Sequence, residues 1–306
     1  MSELNLVLLY AYQRPELTEK VIKSTLMWNK LDKLLITVDG LRQSATESEK
    51  IWREATIGIC ERYSLLDPRV ALVVWPDNPG LTNHILRSLK RAFTMSNVVI
   101  AIEDDTLVSI QGFDFLANAV SDSTAPQIAA GYNKFFHTNV YPSSGFRNTL
   151  FPTQWSTSLN ASMFRIVEEV WQERKVEWKI VAKRIVKLSG IGVEKKARLF
   201  MYWYRYFKNS LKSHRHTDIV VQYAVFKSGA EYKVPWGDYV EDIAFQDWRG
   251  MNIRHNPLIR NEHVGKFYKF NGALACKVCD VLGGRIEPSF GRYVRKWLLR
   301  RVKARR

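Results

Sequence analysis

Three carboxylates stand in a row at Glu103-Asp104-Asp105, directly behind the five apolar residues Val98 to Ile102. A short run rich in β-branched residues reads as a strand buried on both faces, as in a parallel sheet. The acids then sit at its carboxyl end, the edge of an open α/β sheet where ligands bind. Adjacent carboxylates repel one another, and a hard divalent cation with oxygen ligands would relieve that repulsion. The competing reading is a solvated acidic turn, and the buried strand in front of the triplet argues against it. Other strand ends supply Arg14, Asp39 and Asn78-Pro79-Gly80. Carboxylates there can accept from ribose hydroxyls or a uracil-type N–H. The last acid of the triplet can bind a metal that bridges two phosphates, and an arginine can donate to base or phosphate. Together the set suits a nucleoside diphosphate.

The elements that must hold these residues follow from pattern. Leu4 to Tyr12 reads as a first strand, ended by Gln13-Arg14-Pro15 because Pro15 biases its neighbour away from helix. A helix follows, with Leu17, Val21, Ile22, Thr25 and Leu26 on one face. Leu34 to Val38 is a second strand closed by the turn signal Asp39-Gly40. Residues 43–64 read as a helix with Ile51, Ala55, Ile59 and Tyr63 in phase. Val70 to Trp75 is a third strand, Asp77 to Gly80 a loop, and Leu81 to Phe93 a helix before the strand that carries the acids. This β-α-β-α-β-α-β order predicts a parallel sheet with right-handed crossovers. Beyond it the pattern predicts a short helix over 113–120, a strand over Ile128 to Gly131, a loop over Phe151 to Ser156, and helices over Ala161 to Trp171 and Asp218 to Lys227. Val234-Pro235 and a loop follow.

Residues 174–216 differ in character. They hold thirteen Lys or Arg against two Glu, interleaved with aromatics such as Trp178, Phe200, Trp203 and Phe207. Helices are expected there, as a basic insertion whose aromatics pack and whose charges face solvent.

The whole chain of 306 residues carries a formal net charge of +16, which suggests a polyanionic partner: nucleic acid, an anionic membrane or phosphate-rich ligands. At 46% hydrophobic and 12% aromatic it is globular, with no apolar run approaching the roughly 18 residues of a membrane span. Met1-Ser2-Glu3-Leu4-Asn5 lacks a basic n-region. Cys276-x-x-Cys279 has no second pair to complete a zinc site, and with Cys60 the count is odd. Reduced thiols in a cytoplasmic protein are the expectation. Phosphate motifs of other classes are missing. There is no GxxxxGK[ST], and Gly190-Ile191-Gly192 lacks the third glycine and the preceding strand of a dinucleotide fingerprint.

With these residues in view, the first 135 residues resemble the nucleotide-sugar-binding half of a GT-A glycosyltransferase. Glu103-Asp104-Asp105 stands where that fold keeps its DxD-type motif. The triplet resembles the Glu-Asp-Asp variant of that motif in the N-acetylglucosaminyltransferase I group and related bacterial enzymes. Tyr12-Gln13-Arg14-Pro15 is similar to the family's base-contacting turn, Asp39-Gly40 to its second-strand acid, and Asn78-Pro79-Gly80-Leu81 to its phosphate-side loop. Phe151-Pro152 through Trp155 resembles the loop before the acceptor-domain helix. Thr217-Asp218-Ile219-Val220-Val221-Gln222-Tyr223 resembles a Trp-Asp-Tyr-Gln-Trp-type segment, with Thr217 where that segment has Trp. The likeness covers roughly residues 4–265.

The resemblance implies an α/β fold of GT-A type: a mostly parallel sheet flanked by helices. It implies a nucleotide-sugar-binding half at 1–135 and an acceptor half at 136–270 that includes a helical basic insertion at 166–216. It implies a metal-dependent hexosyltransferase-type enzyme taking a nucleoside-diphosphate sugar to a glycan or lipid-linked glycan, with inversion. Asp105 would ligate Mn2+ or Mg2+, Asp104 would contact ribose or a metal-bound water, and Glu103 would orient the strand end or touch ribose or base. Asp218 is the first choice as base for the acceptor hydroxyl, against a plain helix-capping role. Glu241 and Asp242, after Trp236-Gly237-Asp238, are the alternatives. Some members of the family take a late histidine as a second metal ligand, which makes His255 and His263 candidates, and His84 lies near a helix start where it could face phosphate; an ordinary exposed or hydrogen-bonded histidine is the favoured reading of each.

Two rivals remain at this stage. A nucleotidyltransferase making activated sugars needs a glycine-rich loop after the first strand, and residues 10–15 contain no glycine. A nucleic-acid-binding protein needs a recognisable module, and none is present. The tail, 271–306, has Val294, Trp297, Leu298 and Val302 at helical spacing, flanked by Arg292, Arg295, Lys296, Arg300 and Lys303. That pattern predicts a basic amphipathic helix docking on an anionic membrane, and so a peripheral protein of the cytoplasmic face.

Overall fold

The computed structural model describes residues 4–131, 146–150, 156–188, 192–210, 217–235 and 239–242. Four parallel strands open the chain: β1 (Leu6–Ala11), β2 (Lys33–Val38), β3 (Val70–Val74) and β4 (Val98–Glu103). They lie side by side in the order β3-β2-β1-β4. All of β1 is buried, and β4 is buried from Val98 to Ile102 before emerging at Glu103. Their apolar runs carry no alternation because helices cover both faces. The crossovers are α1 (Pro15–Leu26), α2 (Glu47–Leu66) and α3 (Leu81–Phe93). Pro15 opens α1, where its missing N–H matters least. Thr46 and Glu49 close a capping box at the start of α2. The β-α-β-α-β-α-β reading holds, and α3 has the expected bounds.

The rest of the chain continues the same sheet. In order come β5 (Thr106–Val108), α4 (Ile110–Ala119), β6 (Ile128–Ala130), β7 (Phe146–Thr149), β8 (Ser156–Asn160), α5 (Ala161–Glu173), α6 (Trp178–Val186), α7 (Val193–Ser210), α8 (Thr217–Ser228), β9 (Tyr232–Pro235) and β10 (Val240–Asp242). The eight-stranded sheet runs β3-β2-β1-β4-β8-β6-β9-β7. β8 is antiparallel to both β4 and β6, and β5 pairs with β10 in a separate antiparallel ribbon. The architecture is α/β, a mostly parallel sheet between layers of helices.

Two expectations are corrected here. The stretch before Ala161 is not all loop, since Ser156-Thr157-Ser158-Leu159-Asn160 forms an interior strand. Its serines read as turn residues, but β4 and β6 satisfy its backbone on both sides. Asn160 then caps α5 by accepting from the Met163 amide, and its own amide donates to the Ala125 carbonyl at 2.8 Å. In α2 the expected face is rotated: Ile59 and Tyr63 pack partly buried against the core as expected, and the other two positions do not. Ile51 and Ala55 are exposed, and the buried stripe is Arg53, Thr56, Ile57 and Cys60. Arg53 sets that phase by donating to the Asp39 carbonyl (2.7 Å) and the Trp75 carbonyl (3.1 Å), both just past strand ends.

Two cores flank the sheet. One lies under α1, α2 and α4; the other lies under α3, α5, α6, α7 and α8. The basic stretch is helical as expected, and it is integral to the second core. Val181 and Ile185 of α6 and Leu199, Trp203 and Phe207 of α7 are buried in it with Tyr223 and Phe226 of α8. Among the described residues, no helix is long and apolar enough to cross a membrane. Phe151 to Trp155, His255, His263, Cys276, Cys279 and the tail 271–306 lie outside the described residues.

Phe207 is fully buried, stacked on Trp203 at 5.1 Å and edge-on to Tyr223 at 5.3 Å and Phe226 at 5.7 Å. Phe207→Ala is expected to lower global stability by about 3–5 kcal/mol, measured by urea unfolding. A change near zero would mean that α7 melts apart from the core.

Candidate functional site

Four neighbouring parallel strands deliver their carboxyl ends to one edge. β3 ends before Trp75 and Asp77, β2 before Asp39, β1 before Tyr12 and Arg14, and β4 at Glu103-Asp104-Asp105. Sequence puts these residues far apart, and the parallel register puts them side by side.

Arg14 is the centre of the first cluster. Its guanidinium forks: Nη2 donates to Asp104 Oδ1, and Nη1 donates to Asp105 Oδ2 at 2.5 Å. The Tyr12 amide approaches Asp104 Oδ2 at 3.4 Å, and the Thr106 hydroxyl donates to Asp105 Oδ1 at 3.3 Å. The Asp104 side chain is 4% exposed and that of Asp105 14%. Burial raises the Asp104 carboxyl above its ordinary range, and the Arg14 charge pulls it back down. Burial opposes the Arg14 charge, and Asp104 and Asp105 outweigh it, so its pKa is raised. Glu103 is raised well above its ordinary range, first by burial and then by the charges of Asp105 and Asp218.

Asp39 is the centre of the second cluster. It accepts at Oδ1 from its own neighbour Gly40 (3.0 Å) and from Arg87 of α3 (2.8 Å). Arg87 also donates to Asp77 and lies over the Trp75 ring at 4.4 Å. Asn78 donates to the Gly40 carbonyl at 2.7 Å and accepts from the Gly80 amide. Only glycine fits at position 40, because a Cβ there would fall 2.2 Å from the Asp77 backbone. Gly80, the N-cap of α3, has φ 91°, the left-handed region that glycine alone enters freely. Burial raises Asp39 to about 6 despite Arg87.

The remaining candidates fall as follows. Asp218 sits in the first turn of α8, exposed, and its charge is felt by Glu103 and by Tyr206 of α7. Glu241 and Asp242 lie on β10, opposite Leu107 and Thr106, so Asp242 is in register one residue past Asp105. His84 faces Asp39 and Tyr10 and is 2% exposed. Burial and then Arg87 push its imidazole down to about 3. It is neutral, and its 3.4 Å approach to Asp39 is not an ion pair. Sequence reasoning missed Arg53, Arg87, Thr106 and Tyr206. An arginine in the buried phase of a helix, as at Arg53, is the signal that would have flagged the first.

Among the described residues no group of three His, Cys, Asp or Glu could hold a metal ion by itself. Asp104 and Asp105 are hard oxygen donors, and a Mg2+- or Mn2+-like ion is ordinarily held by one or two carboxylates plus substrate phosphates and water. The residues fit such an ion when a diphosphate completes the shell.

Comparison with known proteins gives fold-level likenesses. No family model matches, and no curated protein matches. A mannosyltransferase from Pyrobaculum calidifontis, solved with GDP-Man and Mn2+, is similar at TM-score 0.45 and 11% identity, covering 98% of this chain and 82% of that one. Glucosyl-3-phosphoglycerate synthase from Mycobacterium tuberculosis, solved with Mn2+, UDP and glucosyl-3-phosphoglycerate, is similar at TM-score 0.29 and 20% identity, over 42% of this chain and 43% of that one. 4-Diphosphocytidyl-2C-methyl-D-erythritol synthase from Anaerococcus prevotii is similar at TM-score 0.36 and 10% identity, over 75% and 85%. At such scores the chemistry has to be read from the site's own residues.

The neutral His84 has a measurable signature. An unfolded chain takes up its proton near 6.5, and the folded one takes it only near 3. The stability from that difference is complete above 6.5 and is lost as pH falls toward 3. Asp39, raised from 3.8 to about 6, acts with the opposite sign, adding stability as pH falls through 6. His84→Leu removes the loss alone. Relative to wild type, the variant is expected to gain about 3 kcal/mol between pH 7 and about pH 4.5 in chemical denaturation. Identical pH dependence in the two proteins would contradict a neutral His84.

Proposed function

We propose that the chain is a metal-dependent glycosyltransferase of GT-A type. It takes a nucleoside-diphosphate sugar at the β1–β4 edge and passes the sugar to a hydroxyl of a glycan or lipid-linked glycan, with inversion. The observation that carries this reading is the forked Arg14 between Asp104 and Asp105, at one edge with Asp39 and within electrostatic reach, through Glu103, of Asp218.

In this reading Asp39, Tyr12 and Arg14 hold the nucleoside. Asn78 and Gly80 lead the diphosphate to the start of α3, whose free N–H groups favour anions. Asp105 ligates the cation and Asp104 contacts ribose or a metal-bound water. Glu103 orients the strand end or touches ribose or base. Bound there, Mn2+ or Mg2+ neutralises charge on the leaving diphosphate. Asp218 accepts the proton of the acceptor hydroxyl as its oxygen bonds to the anomeric carbon and the bond to phosphate breaks. Glu241 and Asp242 on β10 are the next carboxylates to take that role. His255 or His263 would supply a second protein ligand to the cation.

The first experiment is a donor-hydrolysis screen over nucleotide sugars with Mn2+. Asp105→Ala is expected to abolish Mn2+-dependent binding of the nucleoside diphosphate in calorimetry while the protein stays folded, and unchanged affinity would remove the metal assignment. Asp218→Asn keeps the shape of the side chain but cannot take a proton. It is expected to bind donor like wild type and to transfer sugar about 10²–10⁴-fold more slowly. Wild-type transfer rates would leave Asp218 as a first-turn acid that favours the α8 N-terminus and move the base to Asp242.

A further inference from the structure

The site leaves unexplained where the chain's positive charge goes. Helices α6 and α7 pair antiparallel: Trp178 lies against Tyr204 at 4.6 Å, and Lys196 donates to the Val186 carbonyl at 2.5 Å. Each buries one stripe in the same core, Val181 and Ile185 from α6 and Leu199, Trp203 and Phe207 from α7. Their opposite stripes therefore look outward together. That outward face carries Lys179, Lys183 and Lys187 on α6 and Arg198, Arg205 and Lys208 on α7, all exposed. Large apolar side chains stand among them: Val186 is 65% exposed, Met201 44% and Tyr202 45%. The two acids of this stretch are Glu177 and Glu194, and Glu194 is paired with Arg198.

We propose that the outward face of the α6–α7 hairpin docks on a bilayer surface bearing anionic lipid headgroups. Charge complementarity names the partner, and the apolar side chains distinguish it from nucleic acid. Cations draw the face to the headgroups, and Val186, Met201 and Tyr202 enter the boundary below them. A single-stranded nucleic acid would need exposed rings for its bases. Here Trp203 and Phe207 are buried, Trp178 and Phe200 pack against Tyr204, and the half-exposed Tyr202 is stacked on Tyr206, so the described residues offer no run of exposed rings. The inference stands apart from sugar transfer, since docking is read without any donor.

Flotation of the full chain with phosphatidylglycerol–phosphatidylcholine vesicles tests it. Wild type is expected to float with these vesicles and to stay down with pure phosphatidylcholine or at high salt. Lys179→Glu/Lys183→Glu/Lys187→Glu is expected to lower the partition coefficient by about tenfold or more. Met201→Asp is expected to lower it several-fold, with thermal melts unchanged in both variants. The same losses are expected when residues 291–306 are deleted, which separates this face from the tail. Three results overturn the proposal: wild type that never floats, equal flotation of the triple variant, or equal binding to neutral vesicles. Tighter binding of duplex DNA than of vesicles, abolished by the same triple reversal, would assign the face to nucleic acid instead.

Discussion

Two carboxylates next to each other at the end of a buried strand are an electrostatic problem, and the structure around β4 is arranged to contain it. Asp104 and Asp105 sit 4% and 14% exposed, where each charge has lost most of its hydration. Arg14 meets both with one planar group, giving a charge-assisted hydrogen bond to each. A lysine could supply the charge but not the two fixed directions. This places demands on the chain far from the acids. β1 must end beside β4, which the parallel register Leu6↔Val99 through Tyr10↔Glu103 ensures. Pro15 must turn the chain into α1 immediately after Arg14, which holds the arginine at the edge.

The Asp39 cluster repeats the arrangement one strand over, with different consequences. Here a single buried acid is held by Arg87 and the Gly40 amide, and Arg53 satisfies the Asp39 and Trp75 carbonyls. Two helices are anchored by these arginines, α2 through Arg53 and α3 through Arg87. The strand-end loops are thereby tied to the layers above and below the sheet. Gly40 allows the β2 and β3 loops to touch, and any side chain there would force them apart. Rigid loops at this edge are what a binding site needs, since ordering them on ligand arrival would consume binding free energy.

The parallel half of the fold was legible in sequence because its signals are local. Continuous apolar strands, Pro15, Asp39-Gly40 and Asn78-Pro79-Gly80 each mark an element from within a few residues. What was illegible depends on partners distant in sequence. β8 is polar and short, and it is a strand only because β4 and β6 bracket it. The phase of α2 was misjudged because periodicity counts Ile51 and Ala55 as core and cannot see that Arg53 has two carbonyls to reach. At the site, the strand-end acids and Arg14 were readable from type and position. The fork that joins them, the Arg87 bond to Asp39 and the nearness of Tyr206 to Asp218 come only from topology.

The Arg14 fork also bears on how a ligand would enter. With Arg14 in place the acids are satisfied, so the fold does not depend on a bound cation to hold its β4 edge together. A cation arriving alone would compete with a guanidinium already bonded to both carboxylates. A diphosphate changes that balance, because it offers Arg14 new oxygen acceptors while offering the cation the ligands that Asp105 cannot supply by itself. Donor and cation would then favour each other's binding through one residue that exchanges carboxylate for phosphate, which is reciprocal coupling in the thermodynamic sense. The same exchange would return two negative charges to the edge at the moment a cation is there to meet them. The strand-end geometry therefore suits a site whose acids are satisfied by Arg14 when empty and by the cation when both ligands are present.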